Sequence, residues 1–275
     1  EKGSRWQSAL SLSRRMPESW LTPDQISYSA AISACANSGE WHRAGHILQY
    51  MREGRALPNE VSYTAAIHAC SECGQWQQAL SLLNTMLAGK LKLERMTYNA
   101  CISACEKGGQ WQLALTLLGN MPKMKLMPDD ISCNAAISAC EKCGQWQAAL
   151  GTLREMPNMG LDPGRISYNA AISACEKGGR WEVAFHLFSE MHKAAVPPCQ
   201  ISCNAVISAF EKCGEWQLAL LFVLDEMPEL RLKPDRISYC AAISACEKCY
   251  KWKLALGMLV QMPELQLTLD EFSCN

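Results

Sequence analysis

The chain has 275 residues, 49% of them hydrophobic and 19% charged, which supplies a substantial core for one large domain or two ordinary ones and excludes a disordered tail. A formal net charge of −1 excludes a whole-molecule basic field, so any nucleic-acid site must come from local placement of charge. No apolar stretch approaches the roughly 20 residues needed to span a bilayer, and no basic segment followed by an apolar run opens the chain, so neither a membrane span nor a signal peptide is expected.

In chain order, the first signal is self-similarity. Glu1-Lys2-Gly3 matches Glu176-Lys177-Gly178, so residues 1–24 read as a partial repeat entered inside a helix. Tryptophan then recurs at Trp6, Trp41, Trp76, Trp111, Trp146, Trp181, Trp216 and Trp252, spaced 35 residues apart six times and then 36. Methionine keeps the same beat at Met16, Met51, Met86, Met121, Met156, Met191, Met227 and Met262. Complete repeats start at Gln25, Glu60, Arg95, Asp130, Arg165, Gln200 and Arg236, giving seven over residues 25–270, numbered 1 to 7 below. Residues 271–275 begin a further copy, and the mid-unit ends predict a fragment of a longer array.

Each copy reads as two helices. In repeat 4 the first is predicted from about Ser132 to Lys142, with Ile131, Ala135, Ile137 or Ala136, and Cys140 on one apolar face. Gly144 stands where a helix ends in a left-handed residue. The second runs from about Trp146 to Met156, with Trp146, Ala149, Leu150 and Leu153 on its stripe, and Pro157 and Pro163 bound the loop to the next copy. A helix pair of this size cannot bury its apolar face alone, and stacked neighbours bury it jointly. The expected fold is therefore an all-α solenoid, or superhelix, of helix–turn–helix repeats.

Two copies depart from the pattern. Trp216 to Met227 spans eleven residues where the other copies span ten, and a π-bulge between Leu220 and Met227 is the predicted way to absorb the extra one. Tyr250 replaces the glycine of the inter-helix turn, at a cost on the order of 1 kcal/mol if that turn needs positive φ.

The sixteen cysteines follow the repeat. Cys35, Cys70, Cys105, Cys140, Cys175 and Cys246 share one slot, and Cys73, Cys143, Cys213 and Cys249 a second. The resulting C-x-x-C pairs resemble half a zinc site, but no second pair lies nearby, so packed, reduced thiols are expected. His42 and His46 share a helix face at i, i+4, where a solvated face is the simpler reading than a metal. No nucleophile elbow, P-loop or dinucleotide-binding pattern occurs, so no enzyme, cofactor, metal or small-molecule substrate is expected.

The pattern I-S-Y-N-A-A-I-S-A-C-E-K-x-G, then W-x-x-A-L-x-L-L-x-x-M, then L-x-P-D resembles the pentatricopeptide motif of P-type arrays, over all 275 residues. Tetratricopeptide repeats differ in unit length and lack this first helix. The resemblance implies a right-handed superhelix whose first helices line an inner surface for single-stranded RNA, one base per repeat. It implies a non-catalytic adaptor in organelle RNA processing, stability, editing or translation, in a mitochondrion or chloroplast. A protein-binding helical scaffold is the alternative, and protein partners remain open beside RNA.

The base-reading slot implied by the resemblance holds Ser29, Thr64, Asn99, Asn134, Asn169, Asn204 and Cys240. Its partner is the last residue of the same repeat: Asn59, Glu94, Asp129, Gly164, Cys199, Asp235 and Asp270. Asn with Asp implies uracil and Ser29 with Asn59 adenine, while the two other Asn-led pairs lean to pyrimidines, giving A-?-U-Y-Y-U-? from 5′ to 3′. Asp129 and Asp235 also suit a helix N-cap, since each follows Pro and precedes a helix. Ile26, Val61, Met96, Ile131, Ile166, Ile201 and Ile237 occupy the slot that the family wedges between bases, with inter-repeat packing as the equal alternative. Tyr63, Tyr98, Tyr168, Tyr239 and the tryptophans are expected in the core. Lys107, Lys142, Lys177, Lys212 and Lys248 end the first helices, where they complement the helix dipole and form a row suited to tracking phosphates. Asn37 and Glu72 interrupt that row.

Overall fold

The computed structural model of the protein describes residues 24–53 and 56–264, together with Gln7 and Ser11. Every regular element among the described residues is helical. The first helices are Gln25–Ala36, Glu60–Glu72, Arg95–Lys107, Asp130–Lys142, Arg165–Lys177, Gln200–Cys213 and Arg236–Lys248. The second helices start at the tryptophans: Trp41–Glu53, Trp76–Ala88, Trp111–Asn120, Trp146–Glu155, Trp181–Lys193, Trp216–Leu221 and Trp252–Glu264. Two of them close with a 3-10 turn, Pro122–Met124 and Pro157–Met159, because the proline after the methionine has no N–H to continue the ladder. The first helix of repeat 4 begins at Asp130, two residues ahead of the expected start, because Asp129 caps it.

The chain divides into two compact units, Glu1–Ala139 and Cys140–Asn275. Within each, a first helix packs on its own second helix and on the first helix of the following repeat. In unit 1 Ile32, Ile67, Ile102 and Ile137 from the first helices and Met51, Met86 and Met121 from the second are all fully buried. Ile172, Ile207, Met156, Met191 and Met227 do the same in unit 2. Each such side chain contributes about 1.5–3 kcal/mol by leaving water. The buried face of repeat 4's first helix is Cys133, Ala136, Ile137 and Cys140, at i, i+3, i+4 and i+7. Ile131 is 66% exposed, which corrects the expected face: two residues before Cys133, it lies about 200° around the helix from the core.

Cys35, Cys70, Cys105, Cys140, Cys175 and Cys246 fill the buried slot, and burial pushes the thiols of Cys70, Cys105, Cys140 and Cys175 up to about 11. The second cysteine of the pair lies on the turn instead. Cys73 Sγ donates to the Gly39 carbonyl at 3.0 Å and Cys249 Sγ to that of Gly214 at 3.1 Å, so these thiols tie one turn to the preceding one. Tyr63, Tyr98, Tyr168 and Tyr239 are buried. The tryptophans are not core: Trp41 through Trp216 are half-buried and Trp252 is 65% exposed. Trp76 and Trp146 reach over the turn of the next copy, at Gly108 and Gly178. A Cβ on Gly178 would stand 2.5 Å from Cδ1 of Trp146, and Arg180 lies 5.4 Å from that indole's centroid. His42 and His46 are exposed, with His42 stacked on Trp41 at 3.4 Å between centroids.

Both irregular copies behave as their sequences predict. Phe222–Glu226 forms a π-helical segment, which keeps Phe222 and Val223 inside and returns Met227 to its buried slot. The same repeat carries Phe210 where others carry cysteine, and Phe210 packs with Trp181, Phe185 and Phe222 at centroid distances of 5.7, 6.0 and 6.1 Å. Tyr250 takes φ 58°, the region that Gly144 occupies at 63° in the equivalent turn.

Ile172→Ala should lower stability by about 2–5 kcal/mol, whereas Ile166→Ala, 68% exposed, should stay within about 0.5 kcal/mol. Denaturant titration of both variants checks the assignment of faces. Tyr250→Gly relieves the left-handed conformation and should raise stability by up to about 1 kcal/mol, read as an increase in melting temperature.

Candidate nucleic-acid interface

The site is built from the first turn of each first helix and the residue that caps it. Asp24, Asn59, Asp129 and Asp235 each accept from the backbone N–H three residues on, at 2.8–2.9 Å, satisfying one of the donors a helix start leaves open. Two residues into each first helix stands the wedge residue. All seven, from Ile26 through Val61, Met96, Ile131, Ile166 and Ile201 to Ile237, are 57–77% exposed. Burial between repeats therefore does not explain them.

Five residues into each first helix stands the reading residue, half-buried in Thr64, Asn99, Asn134, Asn169, Asn204 and Cys240 and buried in Ser29. Three of the expected pairs are joined directly. Asn99 Nδ2 donates to both carboxylate oxygens of Asp129, at 3.0 and 3.3 Å, and Asn204 Nδ2 to both of Asp235, at 3.3 Å each. Asn169 Nδ2 donates to Cys199 Sγ at 3.4 Å. Asp129 and Asp235 thus cap a helix and hold an asparagine amide at once. Two expected pairs are not joined. Ser29 Oγ shares a hydrogen bond with Ser62 Oγ at 2.8 Å rather than with Asn59, and Thr64 Oγ1 shares one with Thr97 Oγ1 at 2.8 Å rather than with Glu94. Gly164 offers Asn134 no side chain, and Asp270, the expected partner of Cys240, lies outside the described residues.

A carboxylate accepts only, so the Asp partner dictates which end of the amide is which. Nδ2 faces Asp129 or Asp235, and Oδ1 is the remaining acceptor. Asn99 Oδ1 and Asn169 Oδ1 are buried and accept no hydrogen bond, a state that costs free energy until a donor arrives. Burial disfavours ionisation of Cys199, but hydrogen bonds from Ser202 and Asn169 outweigh it and hold the thiol below its ordinary value.

In unit 1 successive wedge residues wall off two adjacent clefts. One, of about 360 Å³, has Val61 and Met96 as its sides and Thr64 on its floor. The next, of about 530 Å³, has Met96 and Ile131 as its sides, with Asn99 and Asp129 inside. Sequence reasoning missed Arg95 there, whose Nε lies 3.0 Å from Asp129 Oδ2.

The lysines end the first helices as expected, but four are engaged. Lys107 pairs with Glu72 at 3.2 Å, Lys177 with Glu141 at 3.0 Å, Lys212 with Glu176 at 2.7 Å and Lys248 with Glu211 at 2.9 Å. In each pair the glutamate belongs to the preceding repeat. Glu72, which interrupts the row in sequence, is itself a partner. Lys142, exposed at the equivalent helix end, is engaged as well. Among the described residues no group of three His, Cys, Asp or Glu side chains is placed to hold a metal, and no helix is long and apolar enough to cross a membrane.

The sequence profile of the pentatricopeptide repeat domain matches residues 11–73, 116–180 and 186–248, and that of the single PPR repeat matches 61–90, 96–126, 166–195 and 237–267. The chain belongs to the pentatricopeptide repeat family. Solved structures agree on the fold. The pentatricopeptide repeat protein PPR10 in complex with an 18-nt psaJ RNA element is similar at TM-score 0.57 and 19% identity, over 98% of this chain and 44% of that one. PPR10 from maize gives 0.51 at 18% identity, over 98% and 48%. Nuclear proteinaceous RNase P 2 from A. thaliana gives 0.58 at 13%, over 66% and 41%. This pentatricopeptide array therefore spans less than half the length of each of these structures. No curated protein sequence matches it.

Glu176→Gln should release Lys212 at little cost, shifting stability by less than about 1 kcal/mol because the pair is half exposed. The freed lysine should steepen the salt dependence of binding to poly-U by about 0.7 in log–log slope. An unchanged slope shows that this lysine contacts no phosphate.

Proposed function

We propose that this pentatricopeptide array is a sequence-selective single-stranded RNA-binding adaptor, reading one base per repeat and carrying no catalytic step of its own. The observation that carries the reading is the amide fixed by a carboxylate in Asn99/Asp129 and Asn204/Asp235. Each lies beside exposed apolar residues that fit between bases: Met96 and Ile131 for the first, Ile201 and Ile237 for the second. With Nδ2 held by the aspartate, Oδ1 meets the base. Uracil offers it N3–H, whereas cytosine offers a bare N3 lone pair, so the pair favours uracil by roughly one hydrogen bond, about tenfold. In Asn169/Cys199 the thiol is a weaker acceptor, and in Asn134/Gly164 the glycine supplies no carboxylate, so both take either pyrimidine. The proposed register is A-?-U-Y-Y-U-?, 5′ to 3′, and by kinship the setting is RNA processing, stability, editing or translation in an organelle.

The ion-paired lysines favour a second reading, a scaffold for a protein partner, because neutralised cations attract phosphates less. Salt separates the two: RNA contacts release counterions and weaken steeply as salt rises, and peptide contacts weaken far less. Selection of bound RNA from a random pool should enrich uracils three nucleotides apart, with Asn99→Ala and Asn204→Ala each relaxing one of them. A pool that returns no enrichment at low salt removes the RNA reading.

A further inference from the structure

The third residue of the first helix is a buried hydroxyl in repeats 2 to 7. Ser62, Thr97, Ser132, Ser167, Ser202 and Ser238 are each no more than 1% exposed. Alanine would fill this helical position without burying a polar group, so a hydroxyl there calls for a partner. The partners are of two kinds. Ser62 and Thr97 reach back to the reading residues of the preceding repeat, Ser29 and Thr64, at 2.8 Å. Ser238 donates to Asn204 Oδ1 at 2.6 Å and contacts Asp235 Oδ1 at 2.9 Å, so it touches both members of that pair. Ser132 and Ser202 instead turn onto the carbonyls of Asp129 and Cys199, at 2.8 and 2.7 Å.

The state of the reading amide follows the hydroxyl. Where Ser238 points back, Asn204 Oδ1 has a donor; where Ser132 and Ser202 point away, Asn99 Oδ1 and Asn169 Oδ1 are buried with none. In both settings the oxygen also accepts from the cap residue's backbone N–H, at 3.3 Å for Ser238 and at 2.8 Å for Ser132 and Ser202. We propose that this hydroxyl is a positioning residue for the repeat before it: it holds the reading side chain in one orientation and so sharpens base choice there. The proposal rests on the RNA reading above and adds a third member where the hydroxyl reaches back, at Ser29, Thr64 and Asn204. It also gives Ser29 and Thr64 a fixed orientation that Asn59 and Glu94 do not supply.

The test compares Ser238→Ala, Ser238→Val and Ser238→Thr in the full chain. Competition binding is measured with RNAs carrying uracil or cytosine opposite repeat 6, and separately opposite repeat 3. The Ser238 backbone N–H still reaches Asp235 at 2.9 Å, so the helix cap survives each change. Valine and threonine share a shape, so that comparison isolates the hydroxyl even where alanine impairs folding. Ala and Val should lower the uracil preference opposite repeat 6 about tenfold and leave that opposite repeat 3 unchanged, with Thr restoring it. Equal weakening for both RNAs, or a preference that Thr does not restore, reduces the hydroxyl to a structural role and overturns the proposal. Wild-type protein with no base preference at either position removes the RNA reading, and the proposal with it.

Discussion

A helical hairpin of about 30 residues has two apolar stripes and too little mass to cover either, and the architecture follows from that shortage. Each stripe is satisfied by the next copy, so the same small set of side chains returns at every layer. A methionine from the second helix meets an isoleucine and a cysteine from the first, all fully buried. Cysteine suits its slot because the helices approach closely and a thiol occupies little more than alanine while remaining apolar. Where the slot takes Phe210, extra volume enters the layer, and the neighbouring second helix carries one more residue and a π-turn. The two departures occur in one repeat and share one packing problem.

The same economy shapes the polar face. A helix start leaves backbone donors open, and here the capping carboxylate also holds the asparagine amide 30 residues earlier. The helix cap and the amide's partner are thus one side chain. This explains why repeats with Asp at that place show a doubly held amide, while Glu94, with a longer side chain and no cap bond, leaves Thr64 to a different partner. Arg95 beside Asp129 adds a cation to one pair.

Charge follows the stacking as well. The glutamate and lysine at the end of successive first helices face each other across the step, so a chain of nearly zero net charge carries its basic row in paired form. Ser138 and Ser244 hydrogen-bond to Glu106 and Glu211, placing these carboxylates where the next repeat's end can meet them. Exposed pairs of this kind are worth little for stability. Their consequence is electrostatic: a carboxylate of the preceding repeat offsets the charge of each paired lysine.

The period, the helix pair, the capping aspartates, the π-turn and the strained Tyr250 were all legible in the sequence, because each depends on local spacing or on the backbone preferences of one residue. The pairing of Asn99 with Asp129 was visible only as two columns at one period. Other features belong to tertiary structure alone. Periodicity marks Ile131 and Ile137 as equally apolar, and only the placement of neighbouring helices sends one to water and the other to the core. The tryptophans read as core by residue type, yet Trp41 through Trp216 are only half-buried, and Trp76 and Trp146 lie against the turn of the next copy. The buried hydroxyl recurs in plain sight as the Ser or Thr before each Tyr or Cys, but its partner lies in the preceding repeat, and no spacing along one helix reveals which way a rotor points. What the sequence determined is what one helix can settle with its own backbone and period; what the fold decided is every choice that depends on the distance to the next copy.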